Sequence, residues 1–224
     1  MDDTFVVTLD GPAGVGKTTL AKAVADYLGV AYLDTGAMYR SVAWIYGKDS
    51  WLWPEEQMMQ ALGTLTFALK GSGNATALWV NGKEIGAEIR TETVGLWASH
   101  VAKLPLVRKR LTQVQRSLGH SLSLVAEGRD MGTVVFPEAR FKFFLDASPT
   151  IRAKRRWLQL QEAGTPQRLD DLVEQMRIRD EQDRNRSIAP LRPAEDAVMV
   201  DTGDLDCKQV LESIVQHIST IRGF

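Results

Sequence analysis

The chain has 224 residues, enough for one α/β domain of ordinary size with room for a small insert. Its 44% hydrophobic and 25% charged residues describe a globular protein, and 27 Lys+Arg against 28 Asp+Glu exclude the broad basic field of a non-specific nucleic-acid binder. The single cysteine, Cys207, excludes a disulfide framework and a cysteine-based metal site, and nothing approaches the ~18 apolar residues of a membrane span. The acidic start Met1-Asp2-Asp3 runs at once into a strand-like segment and does not read as a signal peptide, so the expected location is the cytoplasm.

Five short β-branched or aromatic runs stand out in chain order: Phe5 to Leu9, Val30 to Leu33, Leu122 to Ala126, Phe141 to Leu145 and Ala197 to Val200. Helical patterns separate most of them, which predicts a five-stranded parallel sheet with helices on both faces. After the first run comes Gly11-Pro12-Ala13-Gly14-Val15-Gly16-Lys17-Thr18-Thr19, the G-x-x-x-x-G-K-[ST] pattern of a P-loop. Its glycines let successive backbone N–H groups point at phosphate oxygens, and the helix predicted over Thr18 to Leu28 presents its positive end to the same anion. Lys17 is expected on the β- and γ-phosphates of a nucleoside triphosphate, with the Thr18 hydroxyl on Mg²⁺.

A P-loop alone leaves a small-molecule kinase and a nucleotide-dependent switch open, so a second anion site has to decide. Asp34-Thr35-Gly36-Ala37-Met38-Tyr39-Arg40 follows the second run and sets a hydroxyl and a guanidinium at the carboxyl end of a strand, where open α/β sheets bind ligands. The tryptophan-rich Trp51-Leu52-Trp53-Pro54 comes next and has no assigned role. Thr64 to Gly86 carries Gly and Asn turn signals, among them an Asn81-Gly82 hairpin signal, and predicts a small antiparallel insert. Ser99 and Arg108 lie on the segment returning from it. Glu127-Gly128-Arg129-Asp130-Met131-Gly132 places another guanidinium and carboxylate at the end of the third core strand. In the helical segment Leu169 to Arg186, Leu172 and Met176 begin an apolar stripe that continues as Arg179, Asp183 and Arg186, as in a helix leaving the core for a cleft.

These residues resemble bacterial cytidylate kinases over essentially the whole chain. The resemblance rests on LDGPAGVGKTT, LDTGAMYR, GAEIRT, EGRDMGTVVFP, FFLDAS, RDEQDRNRSIAPL and VDTGDL, of which RDMGTVVFP and DRNR…APL are the specific parts. It implies a P-loop kinase that passes the γ-phosphoryl group of ATP to CMP, and to dCMP, as a monomer with Mg²⁺ and with no nucleic-acid or membrane partner. One kinase domain over 1–224 is then expected. Its core would be about 1–38, 96–149 and 165–224, with a monophosphate-binding insert at about 39–95 and a short lid at about 150–164. Gly11 to Thr19 would hold ATP. Arg40 and Arg129 would hold the CMP phosphate, with Thr35 supplying a hydroxyl. Ser99, Arg108, Asp130 and Arg186 would surround the cytosine, and Arg179 and Asp183 would contact the ribose side. Arg152, Arg155 and Arg156 resemble the lid arginines that fold over ATP phosphates, so Lys17, Arg129, Arg152 and Arg156 are the implied catalytic set. Thr18 stands where many relatives have Gly, so Thr19 shares the expectation of a Mg²⁺ ligand.

Other polar residues have plainer expectations. Arg90, Arg110 and Arg116 read as solvated surface, His100, His120 and His217 as structural or exposed, and Cys207 as a buried or half-buried side chain. Asp183 could pair with Arg179 one turn away. No general base stands out, which suits a nucleophile that is already a phosphate anion. A kinase for UMP, or a P-loop ATPase driving a conformational change, are the competing readings.

Overall fold

A computed structural model describes residues 4–203 and 205–222. Strand β1 (Val6–Asp10) leads through the glycine-rich loop into α1 (Lys17–Leu28), and β2 (Ala31–Asp34) leads into α2 (Thr35–Tyr46). Then come α3 (Glu55–Gly63), the strands β3 (Phe67–Lys70), β4 (Ala77–Val80) and β5 (Lys83–Glu84), α4 (Glu92–Val101) and α5 (Pro105–Ser121). The remainder is β6 (Leu124–Gly128), β7 (Phe141–Asp146), α6 (Pro149–Glu162), α7 (Leu169–Asn185), β8 (Val198–Asp201) and α8 (Cys207–Arg222).

The five expected core strands form one parallel sheet in the order β2-β6-β1-β7-β8. All five residues of β6 and the first five of β7 are buried, as strands covered on both faces must be. In the β1–β7 pair Val7 stands opposite Phe141 and Asp10 opposite Phe144. The first crossover leaves β1 to one side and the β6-to-β7 connection passes to the other. The carboxyl end of β1 is therefore the switch point where such sheets bind ligands.

The antiparallel insert is present as the sheet β3-β4-β5. Its tight turn is the Asn81-Gly82 pair, with φ of 50° and 75° between the partners Val80 and Lys83. Two successive left-handed residues give the turn the twist that a two-residue hairpin requires. The Asn81 side-chain oxygen Oδ1 also accepts the Thr66 amide at 2.9 Å.

The chain divides into two compact units. One takes in residues up to Val6 and Ala25–Ala126, the other Val7–Val24 and the residues from Glu127 onward. In the first, the Trp51 ring stacks on His100 of α4 with centroids 4.6 Å apart, and Trp53 tilts against Tyr46 at the end of α2. The tryptophan-rich segment thus packs against the ends of two helices, α2 and α4. In the second, Leu172 of α7 packs with Ala153 and Leu160 of α6, and Phe143 of β7 meets the edge of His217 of α8.

Two sequence expectations need correction in the first unit. Arg110 is no solvated side chain, since its guanidinium donates to the carbonyls of Leu62 and Leu65 and closes the end of α3. Arg90 is half exposed, yet it ion-pairs with Asp34 at 2.7 Å. In the second unit Cys207, expected to be buried or half-buried, is exposed, because it opens α8 on the solvent side.

Candidate active site

In the first unit, Asp34 ends β2 and caps α2, accepting the Ala37 amide at 2.9 Å through one oxygen while Arg90 takes the other. That cap starts the helix at Thr35, which is buried, and sets Arg40 one and a half turns in. The Arg40 guanidinium donates to the carbonyls of Ile89 and Thr91, and a Cβ on Gly95 would lie 3.1 Å from two of its nitrogens. It therefore rests against the bare backbone of α4. Burial, then the Arg90 charge, hold Arg40 below its usual pKa, opposed by Asp34. Ser99 is exposed on α4 and bonds the Gly95 carbonyl at 3.0 Å. Arg108 is buried on α5, its guanidinium 5.7 Å from the Tyr39 ring centre, within cation–π reach.

In the second unit the P-loop begins at the end of β1. Gly11, Gly14 and Gly16 all have positive φ, and a Cβ on Gly11 would meet the Leu145 carbonyl oxygen at 2.2 Å, so no other residue fits there. Three loop carbonyls are held by side chains. Lys17 Nζ donates to Pro12 O at 2.6 Å, Arg152 Nη1 to Ala13 O at 2.9 Å and Thr202 Oγ1 to Val15 O at 3.2 Å. Lys17 is buried and its pKa is lowered, by desolvation first and then by the Arg129 charge, against the pull of Glu127 and Asp10. Thr18 and Thr19 are both exposed on the first turn of α1. Their hydroxyls are hard oxygen donors of the kind Mg²⁺ takes.

Four charged residues from the recognised motifs form two ion pairs in this unit. Arg129 Nε bonds Asp183 at 2.8 Å, and Arg186 Nη2 bonds Asp130 at 3.2 Å. Burial raises the Asp183 pKa, but the charge and hydrogen bond of Arg129, helped by Arg179 and Arg186, bring it below its ordinary value. Asp183 is thus ion-paired with Arg129, across from α7, while the Arg179 charge on its own helix acts on it in the same direction. Arg186 Nε also donates to the carbonyl of Ala189, a non-glycine residue at φ 51°, a strained conformation of the kind that gathers at functional sites. Arg179 is exposed on α7.

The lid arginines separate. Arg156 is exposed on α6, whereas Arg152 is only 1% exposed, with both arms of its guanidinium on Asp180 and its Nε on Ala147 O. Arg155 donates to the hydroxyl and the carbonyl of Thr202. Arg152 and Arg155 thus meet the P-loop from behind, through Ala13 and through Thr202. Asp180 was missed by sequence reasoning, although Leu172, Met176 and Asp180 are spaced four apart and an i, i+4 stripe would have found it. Asp10 was missed too, and its signal was a carboxylate closing an apolar strand just before the P-loop.

A family model described as cytidylate kinase matches residues 7–220. A cytidylate kinase of Maridesulfovibrio salexigens is 54% identical over 215 residues, covering 96% of each chain. One of Nitratidesulfovibrio vulgaris is 58% identical over 218 residues, covering 97% of this chain and 94% of the other. Among solved structures, an uncharacterized protein from Eubacterium ventriosum superposes with a TM-score of 0.55 at 13% identity, covering 97% of this chain and 99% of that one, a likeness of fold. With P-loop, GRDMG and DRNR segments in place and identity above one half across nearly its full length, the chain belongs to the cytidylate kinase family.

Proposed function

We propose that the chain transfers the γ-phosphoryl group of ATP to CMP, and to dCMP, giving ADP with CDP or dCDP. The observation that carries this reading beyond family membership is the buried carboxylate of Asp130 held by Arg186. Cytosine presents a donor at N4 and acceptors at N3 and O2, whereas uracil presents an acceptor at position 4. An ionised carboxylate accepts and cannot donate, so Asp130 at N4 would favour cytosine, with Arg108 and Arg186 donating to the base acceptors.

The remaining assignments follow the same chemistry. The amides of Gly11 to Thr19 and the ammonium of Lys17 would take ATP, with Arg156 on the lid near 150–164 added on closure. Arg40 and Arg129, with Thr35, would take the CMP phosphate, Ser99 the base side, and Arg179 and Asp183 the ribose side. Residues of about 39–95 would serve as the monophosphate-binding segment. Mg²⁺, when bound through the Thr18 hydroxyl, would neutralise phosphate charge. A monophosphate is already anionic near neutral pH, with a second pKa of ~6, and needs no general base. What the protein must supply is positioning and cations that offset the repulsion of two polyanions, with water excluded. We take the chain to act as a monomer in the cytoplasm; among the described residues no helix is long and apolar enough to cross a membrane.

ADP release with each monophosphate added singly tests the reading. CMP and dCMP should give rapid turnover and UMP less; turnover that needs no monophosphate would replace the kinase by an ATPase.

A further inference from the structure

We propose that Asp10 is a positioning residue for the CMP side of the site, an inference that rests on the CMP kinase reading above. Asp10 is the last residue of β1 and 4% exposed. Its Oδ1 accepts the Met131 amide at 2.9 Å and its Oδ2 the Gly132 amide at 2.8 Å. Those amides open a single π-helical turn, Met131–Val135, entered through Asp130 at φ −144°, ψ 23°. The amides of Val134 and Val135 both turn back to the Asp130 carbonyl. Isolated π turns are uncommon and need external support. Here the support is a carboxylate that engages two consecutive donors at the turn's amino end, where negative charge is favoured.

The consequence falls on the two residues before the turn. Arg129 and Asp130 leave β6 in directions set by where Met131 and Gly132 are tied, and they carry the ion pairs to Asp183 and Arg186. Asp10 is also joined by one peptide bond to Gly11, so a single side chain fixes the CMP-side turn to the strand end that begins the P-loop. Burial pushes the Asp10 carboxyl up to about 6 against the two amide bonds that lower it. A carboxylate kept there at that cost has its oxygens committed to the turn.

Asp10→Asn tests this, because the amide has one oxygen and its nitrogen would face an N–H donor. The CMP KM should rise about tenfold or more, with kcat reduced, as for loss of a charge-assisted bond. The preference for CMP over UMP should narrow, while the ATP KM should change by less than about threefold. CMP KM, kcat and base preference all at wild-type values, with only a lower melting temperature, would overturn the proposal. If Asp10→Asn does not fold, Gly132→Ala supplies the same comparison. It leaves Asp10 in place and puts a Cβ 3.1 Å from Thr8 Oγ1 and 3.3 Å from Lys142 Cδ, so either those side chains or the turn must give by a few tenths of an ångström, and the amide chemical shifts of Met131 and Gly132 report which. A wild-type CMP KM in a Gly132→Ala protein whose Met131 and Gly132 amide shifts have moved overturns the inference equally. A wild type that does not phosphorylate CMP would instead refute the kinase reading beneath it.

Discussion

Removing Asp180 should destabilise the second unit and reach ATP through the P-loop. Arg152 is 1% exposed and donates to Ala147 O, to Ala13 O and, through both arms, to Asp180. Asp180→Ala leaves that guanidinium buried without its counter-charge, which costs about 3–5 kcal/mol. The Asp180 side chain keeps 11% exposure, so water can reach part of the vacated site and the lower end applies. At about 2–4 °C per kcal/mol for a chain of this length, the melting temperature should fall by roughly 6–12 °C. The double variant Arg152→Met/Asp180→Leu replaces both charges by apolar groups and should recover most of that loss. It still lacks the donor to Ala13 O, so its ATP KM should stay raised by about five- to tenfold. Thermal melts and kinetics on wild type, Asp180→Ala, the double variant and Arg152→Met alone suffice. Asp180→Ala melting within about 2 °C of wild type would refute the energetics. A wild-type ATP KM in the double variant would refute the link to the loop. A fall in kcat for Arg152→Met at unchanged melting temperature would move that guanidinium onto the substrate itself.

Lys17→Ala removes the buried ammonium proposed to face the transferring phosphate, and kcat should fall by on the order of 10²-fold or more with the fold intact; a near-normal kcat would refute the loop assignment. Asp130→Asn keeps the shape and adds a donor, so kcat/KM for CMP should drop and the gap to UMP should narrow, whereas an unmoved ratio would remove Asp130 from base reading. The Asp183 carboxyl is held below its ordinary value by Arg129, so the stability it contributes is present above the unfolded pKa of about 3.9 and is lost as pH falls through the lower folded value. Arg129→Gln should therefore be destabilising at pH 7, with the difference from wild type shrinking below about pH 4, and a difference of the same size at pH 7 and pH 3 would show that the ion pair is not its source.

The sheet was legible because its strands are buried on both faces and read as continuous apolar runs. The P-loop was legible because a strand, a glycine pattern and a helix must follow one another for the mechanism to work. Asn81-Gly82 announced its turn through backbone chemistry alone. Charge pairing was not legible in the same way. A helix pattern says which side chains share a face, but Asp183 meets Arg129 and Asp180 meets Arg152 only because α7 packs on α6 and the β6 end at one particular rotation. Arg152 shows the limit most clearly. An arginine following a strand end has the same local sequence whether it points to a phosphate or into the protein, and only the buried carboxylate of Asp180 decides between them.

The ion pairs have a further meaning for a protein whose substrates are both polyanions. Arg129 and Arg179 lie near enough to Lys17 for their charges to lower its pKa, so the second unit holds repelling cations together. Glu127 and Asp10 act on Lys17 with the opposite sign, and Asp183 and Asp130 pair with Arg129 and Arg186, so that carboxylates interleaved with the cations offset their repulsion. Arg129 bonds Asp183 through Nε and Arg186 bonds Asp130 through Nη2, which fixes each planar fork in direction. Cations oriented in this way need little rearrangement when phosphate charge arrives, and an arriving anion also relieves the repulsion among them. The near-zero net charge of the whole chain is therefore compatible with a strongly anion-seeking site, since what counts for transfer is the local order of the charges and not their sum.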